Sequence, residues 1–242
     1  SWSSAVCSSD RWLLLGHGRR QPVRLPAVFR EAVGVGVAAI PVVGLAAFAT
    51  GMMLAIQGVY TLRTFGAEEQ VVIGVALSVA REFGPLITGI FAAGRSGSAI
   101  AARIGTMQIS QEIDALRVIG INPVRYLVAP ILAAMLLTLP ALTVLADLLA
   151  LLGAALYCAG DLNLPVGIFF ERTFTILRVA DVLDGLTKSL LFAVVVTLIG
   201  ASNGFSVTAG AEGVGRATTR SVVLCCIAII LVDMVFTFFT SR

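Results

Sequence analysis

Five ionisable residues lie inside long apolar stretches of this sequence, where only a partner or a ligand would stabilise them. They are Arg81, Glu82, Asp147, Lys188 and Asp233. A charge at the centre of a bilayer costs about 2.5 to 3.5 kcal/mol on insertion scales, so each should face a partner or a cavity. Two interpretations stay open: ion pairs that hold a helical bundle together, or a polar pocket for the headgroup of an amphiphile.

The residues near these charges are apolar or aromatic, as at Leu54, Tyr60 and Leu62. A cavity lined by both kinds of side chain would suit an amphiphilic ligand. For Phe65 or Phe83 alone, ordinary lipid contact or core packing is the better interpretation. The mixture therefore predicts a polar and apolar pocket without specifying its ligand.

Catalytic motifs are missing from the sequence. His17 is the only histidine and lies outside the apolar stretches, which excludes a Ser-His-Asp set within them and a histidine-based metal site. Lys188 is the only lysine and lacks the glycines of a GxxxxGK[ST] nucleotide-binding loop. We therefore expect a protein that is not an enzyme, with no metal site and no cofactor of its own. The net charge of +3 gives no indication of nucleic-acid binding.

The composition predicts an all-α, multi-pass membrane protein. Hydrophobic residues make up 58% of the chain, charged residues 13%, and the mean hydropathy is +0.97. Soluble domains carry about 25% charged residues. Five apolar stretches predict five membrane spans, since each is long enough to cross a bilayer. They cover residues 32–62, 71–94, 126–160, 186–210 and 221–240. Pro41 is expected to kink the first span.

Two regions follow from this pattern: a basic N-terminal segment over residues 1–33 and a membrane domain over residues 34–242. Residues 18–33 could form an interfacial helix on the membrane surface or a basic tail that only fixes the topology. The sequence starts at Ser1 without a methionine, which leaves open whether residues precede it. Arginines are concentrated in the first 30 residues, in the 95–125 loop and in the 211–220 loop. By the positive-inside rule the N-terminus is cytoplasmic and, after five spans, the C-terminus is on the other side. Counting residues from the outer span ends places Lys188 and Asp233 within reach of each other.

The stretch from Arg81 to Pro123 organises the rest of the chain. Gly89, Ala93, Gly97, Ala101 and Gly105 follow an i, i+4 spacing, which on a helix forms one stripe of small residues and allows close helix packing. A short amphipathic helix over residues 107–119 follows in the predicted cytosolic loop. One of its faces carries Ile109, Ile113, Leu116 and Gly120. Its acidic residues favour a protein partner over an anionic membrane surface.

Several motifs in this stretch and beyond it resemble one known family. They are REFGP at 81–85, AGRSGSAIAARIGTM at 93–107, QEIDAL at 111–116, GINPVRYLVAP at 120–130 and RATTRSVV at 216–223. Together they resemble the MCE-associated ABC transporter permeases, in their Mla-type phospholipid form, over residues 30–240. The resemblance implies an N-terminal interfacial helix, five transmembrane helices and a cytosolic coupling helix between the second and third.

The resemblance also implies partners and a location. The family forms homodimers in the bacterial inner membrane, with two ABC ATPase subunits that bind ATP and magnesium. A STAS-domain protein and a hexameric periplasmic MCE-domain protein complete the complex, and the cargo is phospholipid moved between the inner and outer membranes. This chain would then supply the permease and no catalytic step.

Site residues carried over from the family fall into two groups. The first resembles the lipid pocket and consists of Leu54, Gln57, Thr61, Leu62, Phe65, Arg81, Glu82 and Phe83. The second resembles the coupling helix that contacts the ATPase and, with Ile109 of the amphipathic face, consists of Ile109, Glu112, Ile113, Asp114, Leu116 and Gly120.

Three alternatives stay beside this interpretation. The cargo could be a sterol or another hydrophobic molecule. A proton- or ion-coupled secondary transporter could use Glu82, Asp147 and Asp233, although the five spans show no inverted repeat. A membrane-embedded enzyme acting on lipid would need a nucleophile motif that the sequence lacks.

Overall fold

A computed structural model describes residues 25–208 and 210–240, and these residues are helical almost throughout. We number the helices α1 Leu25–Gly36, α2 Ile40–Arg63, α3 Glu68–Ile109, α4 Glu112–Val118, α5 Val124–Asp161, α6 Val166–Ile176, α7 Val179–Phe205 and α8 Gly210–Thr240. Among the described residues, α2, α3, α5, α7 and α8 are long and apolar enough to cross a membrane. The all-α class and the expected five apolar helices of membrane-spanning length are thus confirmed.

Helix α3 is the largest departure from the predicted spans. It continues to Ile109, whereas the sequence predicted a loop from residue 95. Its polar residues do not end it because they face α1: the Arg95 guanidinium donates to the carbonyl oxygens of Gly34 and Val35 at 3.1 and 3.3 Å. Further along, Arg103 forms an ion pair with α1. The prediction of a loop between residues 95 and 109 was therefore wrong.

Other helix ends also differ from the prediction. Helix α2 begins at Ile40, after a 3-10 turn at Val37–Ala39, so Pro41 lies in its first turn. A proline there loses no helical hydrogen bond, which explains why it starts the helix and does not kink the middle of a span. Helix α7 begins at Val179 and α8 at Gly210, both earlier than predicted.

The structure covers only part of the region for which N-terminal predictions were made. Residues 1–24 of the basic segment lie outside the described residues. The boundary at residue 33 falls inside α1. The division into two regions stays a prediction.

Two buried apolar clusters fill the bundle. The first joins α2, α5, α6 and the start of α3, and includes Val59, Val72 and Phe169. The second joins α3, α4, α5, α7 and α8, and includes Met135 and Phe192. We call the two ends of the bundle the α6 end and the α4 end after the short helices that lie there.

Helices α2 and α5 cross at a contact that only glycine permits. A Cβ added to Gly51 would lie 1.9 Å from the carbonyl oxygen of Ala150, and one added to Gly153 would lie 2.3 Å from that of Phe48. Both obstacles are backbone atoms, which cannot rotate away. The α2–α5 spacing is therefore fixed by these two glycines.

Replacing Gly51 by alanine should destabilise the protein by about 3 kcal/mol, at the upper end for an overpacked core, because the two helices must separate. The measurement is thermal unfolding in detergent. Gly58→Ala on the same helix is the control, since its added Cβ would meet Val71 at an ordinary 3.4 Å. Equal melting temperatures of the two variants would contradict the close crossing.

Candidate functional site

Arg81 and Glu82 of α3 lie in a π turn, Val79–Phe83, which ends two residues before Pro85. A proline within a helix has no N–H, and its ring clashes with the carbonyl group four residues earlier. A wider turn at that point relieves the clash. The same arrangement recurs in α5, where the π turn Val124–Val128 precedes Pro130. Pro85 thus accounts for the backbone that positions Arg81 and its neighbour.

Lys188 of α7 lies between carboxylates from two other helices. Its Nζ is 2.5 Å from Glu82 Oε2 on α3 and 3.0 Å from Asp233 Oδ1 on α8. It also donates to Thr237 Oγ1 at 2.8 Å, and that hydroxyl donates to Glu82 Oε1 at 3.1 Å. The Phe236 ring centroid lies 5.7 Å from the ammonium group. We call Glu82, Lys188, Asp233 and Thr237 the Lys188 cluster.

The three charged side chains of the Lys188 cluster differ in exposure. The side chain of Lys188 is 3% exposed and that of Asp233 is 15% exposed, whereas Glu82 is 35% exposed. One ammonium is shared by two carboxylates, so the ionised cluster carries a net negative charge. A buried charge that is not balanced is costly. The excess negative charge would be balanced by a cationic group that contacts the partly exposed Glu82 carboxylate.

Arg81 contacts a different turn of α7. Its Nε lies 3.6 Å from Asp181 Oδ1, and its Nη2 lies 3.6 Å from Asp184 Oδ2. Asp181 Oδ2 also accepts the backbone N–H of Arg178 at 3.0 Å, which caps the start of α7. Arg81 and Glu82 are neighbours in sequence, yet they belong to two separate ionic groups.

Asp147 of α5 is separate from both ionic groups. Its Oδ1 is buried and has no hydrogen-bond partner among residues 25–208 and 210–240. Within the same residues it forms no ion pair. The five predicted charges thus do not form one network: the structure brings Glu82, Lys188 and Asp233 together and separates Arg81 and Asp147 from them.

The remaining predicted pocket residues lie mainly on α2. Leu54 and Leu62 are half-buried against the first apolar cluster. Gln57 and Thr61 form an exposed strip one helical turn apart on α2, and the exposed Phe65 follows in the turn just beyond the helix. No hydrogen bond or ion pair links this strip to the Lys188 cluster in the described part of the chain.

Phe83, the last of the predicted pocket residues, is half-buried in the π turn of α3. It follows Glu82 directly. Of the eight predicted pocket residues, three consecutive ones thus lie on the π turn and the other five on or just beyond α2. The single chain places the two groups on different helices.

Sequence reasoning missed three residues of the ionic groups, Asp181, Asp184 and Thr237, and the Phe236 ring beside Lys188. The two aspartates were assigned to an external segment because α7 was predicted to begin at residue 186. Their spacing to Lys188 carried the signal, since positions i, i+3 and i+7 lie on one face of a helix.

The apolar face of α4 packs onto the chain itself. Ile113 is fully buried in the second apolar cluster, and Leu116 is half-buried against it. The Ser110 hydroxyl donates to Glu112 Oε1 at 3.0 Å at the start of the helix. Gly120, with φ of +82°, ends this segment in a conformation that favours glycine.

The outer surface of α4 carries residues that sequence reasoning missed. Val118 is 88% exposed and Ile119 is 72% exposed. Val118 lies roughly on the opposite side of the helix from Ile113, since five residues turn a helix by about 500°. The predicted coupling residues therefore fall into an accessible group and a group that packs against the chain. Glu112, Asp114, Gly120 and part of Ile109 are accessible, while Ile113 and Leu116 hold α4 in place.

Comparison with known proteins places the chain in a family. The family described as Permease MlaE matches residues 28–239. A probable ABC transporter permease protein of Rickettsia typhi is 34% identical over 218 residues, which cover 90% of this chain and 84% of that protein. The MlaE permease protein of the intermembrane phospholipid transport system of Haemophilus influenzae is 32% identical over 213 residues, covering 88% and 82% of the two chains.

A plant protein is similar as well. The chloroplastic protein TRIGALACTOSYLDIACYLGLYCEROL 1 of Arabidopsis thaliana is 36% identical over 189 residues, covering 78% of this chain and 54% of that protein. The match to the family covers most of the chain and both ionic groups. The five apolar helices agree with a multi-pass membrane protein. The chain therefore belongs to the MlaE permease family of ABC transporter membrane subunits.

Proposed function

We propose that this chain is the non-catalytic permease subunit of an ABC transporter that moves phospholipids between the inner and outer membranes. The observation that carries the proposal is the Lys188 cluster, a set of charges that is buried in an apolar bundle and open along Glu82. The name of the Haemophilus influenzae relative supports phospholipid as the cargo. Fatty-acyl chains would contact the apolar helices, and the headgroup would contact the charges.

The charges favour a phospholipid over the alternative cargoes. A sterol has one hydroxyl group and gains little from two carboxylates and an ammonium, whereas a phospholipid headgroup offers charges that can pair with them. An ion-coupled transporter would need carboxylates that release and bind ions. Glu82 and Asp233 are already held by Lys188. These contacts make the ion-coupled alternative the weaker one.

The distribution of charge supports an orientation in the membrane. The α4 end carries Arg103, Arg117 and Arg125, whereas carboxylates such as Glu69 and Asp161 are concentrated at the α6 end. Because arginines favour the cytoplasmic side, we assign the α4 end to the cytoplasm and the C-terminus of α8 to the periplasm of a bacterial inner membrane. Helix α1 then lies at the cytoplasmic surface of the membrane.

The partners follow from this orientation. Two ABC ATPase subunits, which bind ATP and magnesium, would contact α4 of each of two permease copies. A STAS-domain protein would join them on the same side, and a hexameric MCE-domain protein would bind at the α6 end. ATP binding would displace α4, and the buried Ile113 would pass that displacement to the helices around it.

The experiment is mass spectrometry of the lipid and the proteins that co-purify with the chain. Arg81→Ala and Glu82→Ala should each lower the bound phospholipid by about fivefold, equivalent to ~1 kcal/mol. Arg172→Ala is the control, because Arg172 also contacts a carboxylate, Glu69, and its side chain is 40% exposed against 39% for Arg81.

Three results would contradict the proposal. Phospholipid at the wild-type level in both variants would place the pocket elsewhere. A sterol in place of phospholipid would support the other cargo. Lipid movement in vesicles that contain no ATPase would support a secondary transporter.

A further inference from the structure

Asp147 occupies a notch in α3. A Cβ added to Gly84 would lie 1.6 Å from Asp147 Oδ1 and 2.7 Å from its Cγ, so the carboxyl group takes the space that any other residue would fill with its side chain. Gly84 directly follows the π turn Val79–Phe83. The contact therefore lies next to the turn that carries Arg81 and Glu82.

Shape holds the Asp147 carboxyl group in this notch. Its Oδ1 has no hydrogen-bond partner in the described residues. A carboxyl group within a membrane span is costly, so an apolar residue would be favoured here if any apolar residue fitted. Leucine and isoleucine are bulkier than the flat carboxyl group, and alanine would leave a void. The planar shape matches the notch better than these alternatives.

Helix α7 packs on the other side of the same turn. A Cβ added to Gly185 would lie 2.3 Å from the carbonyl oxygen of Ala80, which belongs to the π turn, and 3.3 Å from Pro85. The turn is therefore in close contact with α5 through Gly84 and with α7 through Gly185. A shift at either contact would redirect the side chains of Arg81 and Glu82.

We propose that Asp147 is a positioning residue whose carboxyl group, seated in the notch of Gly84, fixes the direction in which the π turn presents Arg81 and Glu82. The shape of the side chain provides this function and its charge does not. The effect on lipid rests on the proposed function, whereas the contact itself does not depend on it.

The test uses the purified transporter complex and three variants. Gly84→Ala should lower the melting temperature by about 5 °C and the phospholipid bound per complex by about tenfold. Adding Asp147→Ala to Gly84→Ala should recover most of both losses, because the severe contact is removed and the nearest remaining atom, the Val79 carbonyl oxygen, lies 3.2 Å from the new methyl group. Asp147→Asn alone, which keeps the shape, should retain both values.

The control is Gly74→Ala on the same helix, where an added Cβ meets nothing within 4 Å. The proposal would be overturned by a Gly84→Ala variant that behaves like Gly74→Ala, or by a double variant no better than Gly84→Ala. A lower melting temperature with unchanged lipid would also overturn it, because the contact would then only stabilise the fold. If the wild-type complex carries no phospholipid, the proposed function fails, and rescue of the melting temperature alone decides whether the contact exists.

Discussion

Replacing Lys188 by methionine should remove bound lipid and destabilise the protein by about 3 kcal/mol. The substitution leaves the largely buried Asp233 carboxylate and the partly exposed Glu82 carboxylate without their shared cation. Breaking a buried ion pair on one side costs about 3 to 5 kcal/mol, and we take the lower value because Glu82 is partly exposed. Thermal unfolding and mass spectrometry of bound lipid measure the two effects.

A neutral version of the cluster separates stability from binding. Lys188→Met combined with Glu82→Met and Asp233→Leu leaves no uncompensated charge, and replacing buried ion pairs by apolar residues of similar volume is often neutral for stability. We expect this variant to melt near the wild-type temperature and still to lack lipid. A neutral variant that retains lipid at the wild-type level would show that the charges only hold the helices together.

Replacing Val118 by aspartate should reduce ATP-driven lipid transfer by about tenfold or more, the size of a hot-spot effect at a protein interface. Val118 is 88% exposed, so the chain should fold and insert normally. The new carboxylate at position 118 would be buried, and therefore costly, only if a partner protein covers α4. Transfer of lipid between vesicles and ATP hydrolysis by the complex are the two measurements. Glu112→Ala should change lipid transfer and ATP hydrolysis in the same direction as Val118→Asp does.

Val179→Asp serves as the matched control. Val179 is 77% exposed and begins α7 at the opposite end of the bundle, where a carboxylate is favourable at a helix N-terminus. We expect the Val179→Asp complex to contain its ATPase and to hydrolyse ATP at the wild-type rate. Normal lipid transfer by the Val118→Asp complex would exclude α4 as the contact with the ATPase.

The length of the apolar stretches in the sequence was sufficient to find the five spans and insufficient to find their ends. Residues 95–109 read as a loop because Arg95 and Arg103 are charged. Both arginines contact α1, and this pairing depends on residues some 60 to 70 positions away in the chain. A local pattern carries no information about such a partner. The early start of α7 was missed for the same reason, since Asp181 contacts Arg81.

The contacts of the site could be predicted where they depend only on how deep each residue lies along its membrane span. Counting from the span ends placed Lys188 and Asp233 within reach, in agreement with their 3.0 Å contact. The direction of neighbouring side chains was not predictable in this way. Arg81 and Glu82 are adjacent, but successive residues of a helix point roughly 100° apart, and a π turn changes that angle further.

The π turn Ala93–Gly97 has a consequence for the stripe of small residues in α3. Four residues of an α-helix overshoot one revolution by about 40°, so a stripe with this spacing should wind away from a straight neighbour within a few steps. All five members, Gly89, Ala93, Gly97, Ala101 and Gly105, are nevertheless buried. A π turn holds more residues per revolution, so four of its residues turn through less than one full revolution. The turn at Ala93–Gly97 therefore compensates, midway along the stripe, for the rotation that the α-helical part accumulates. The local unwinding thus keeps a long seam in line with α7 and α8.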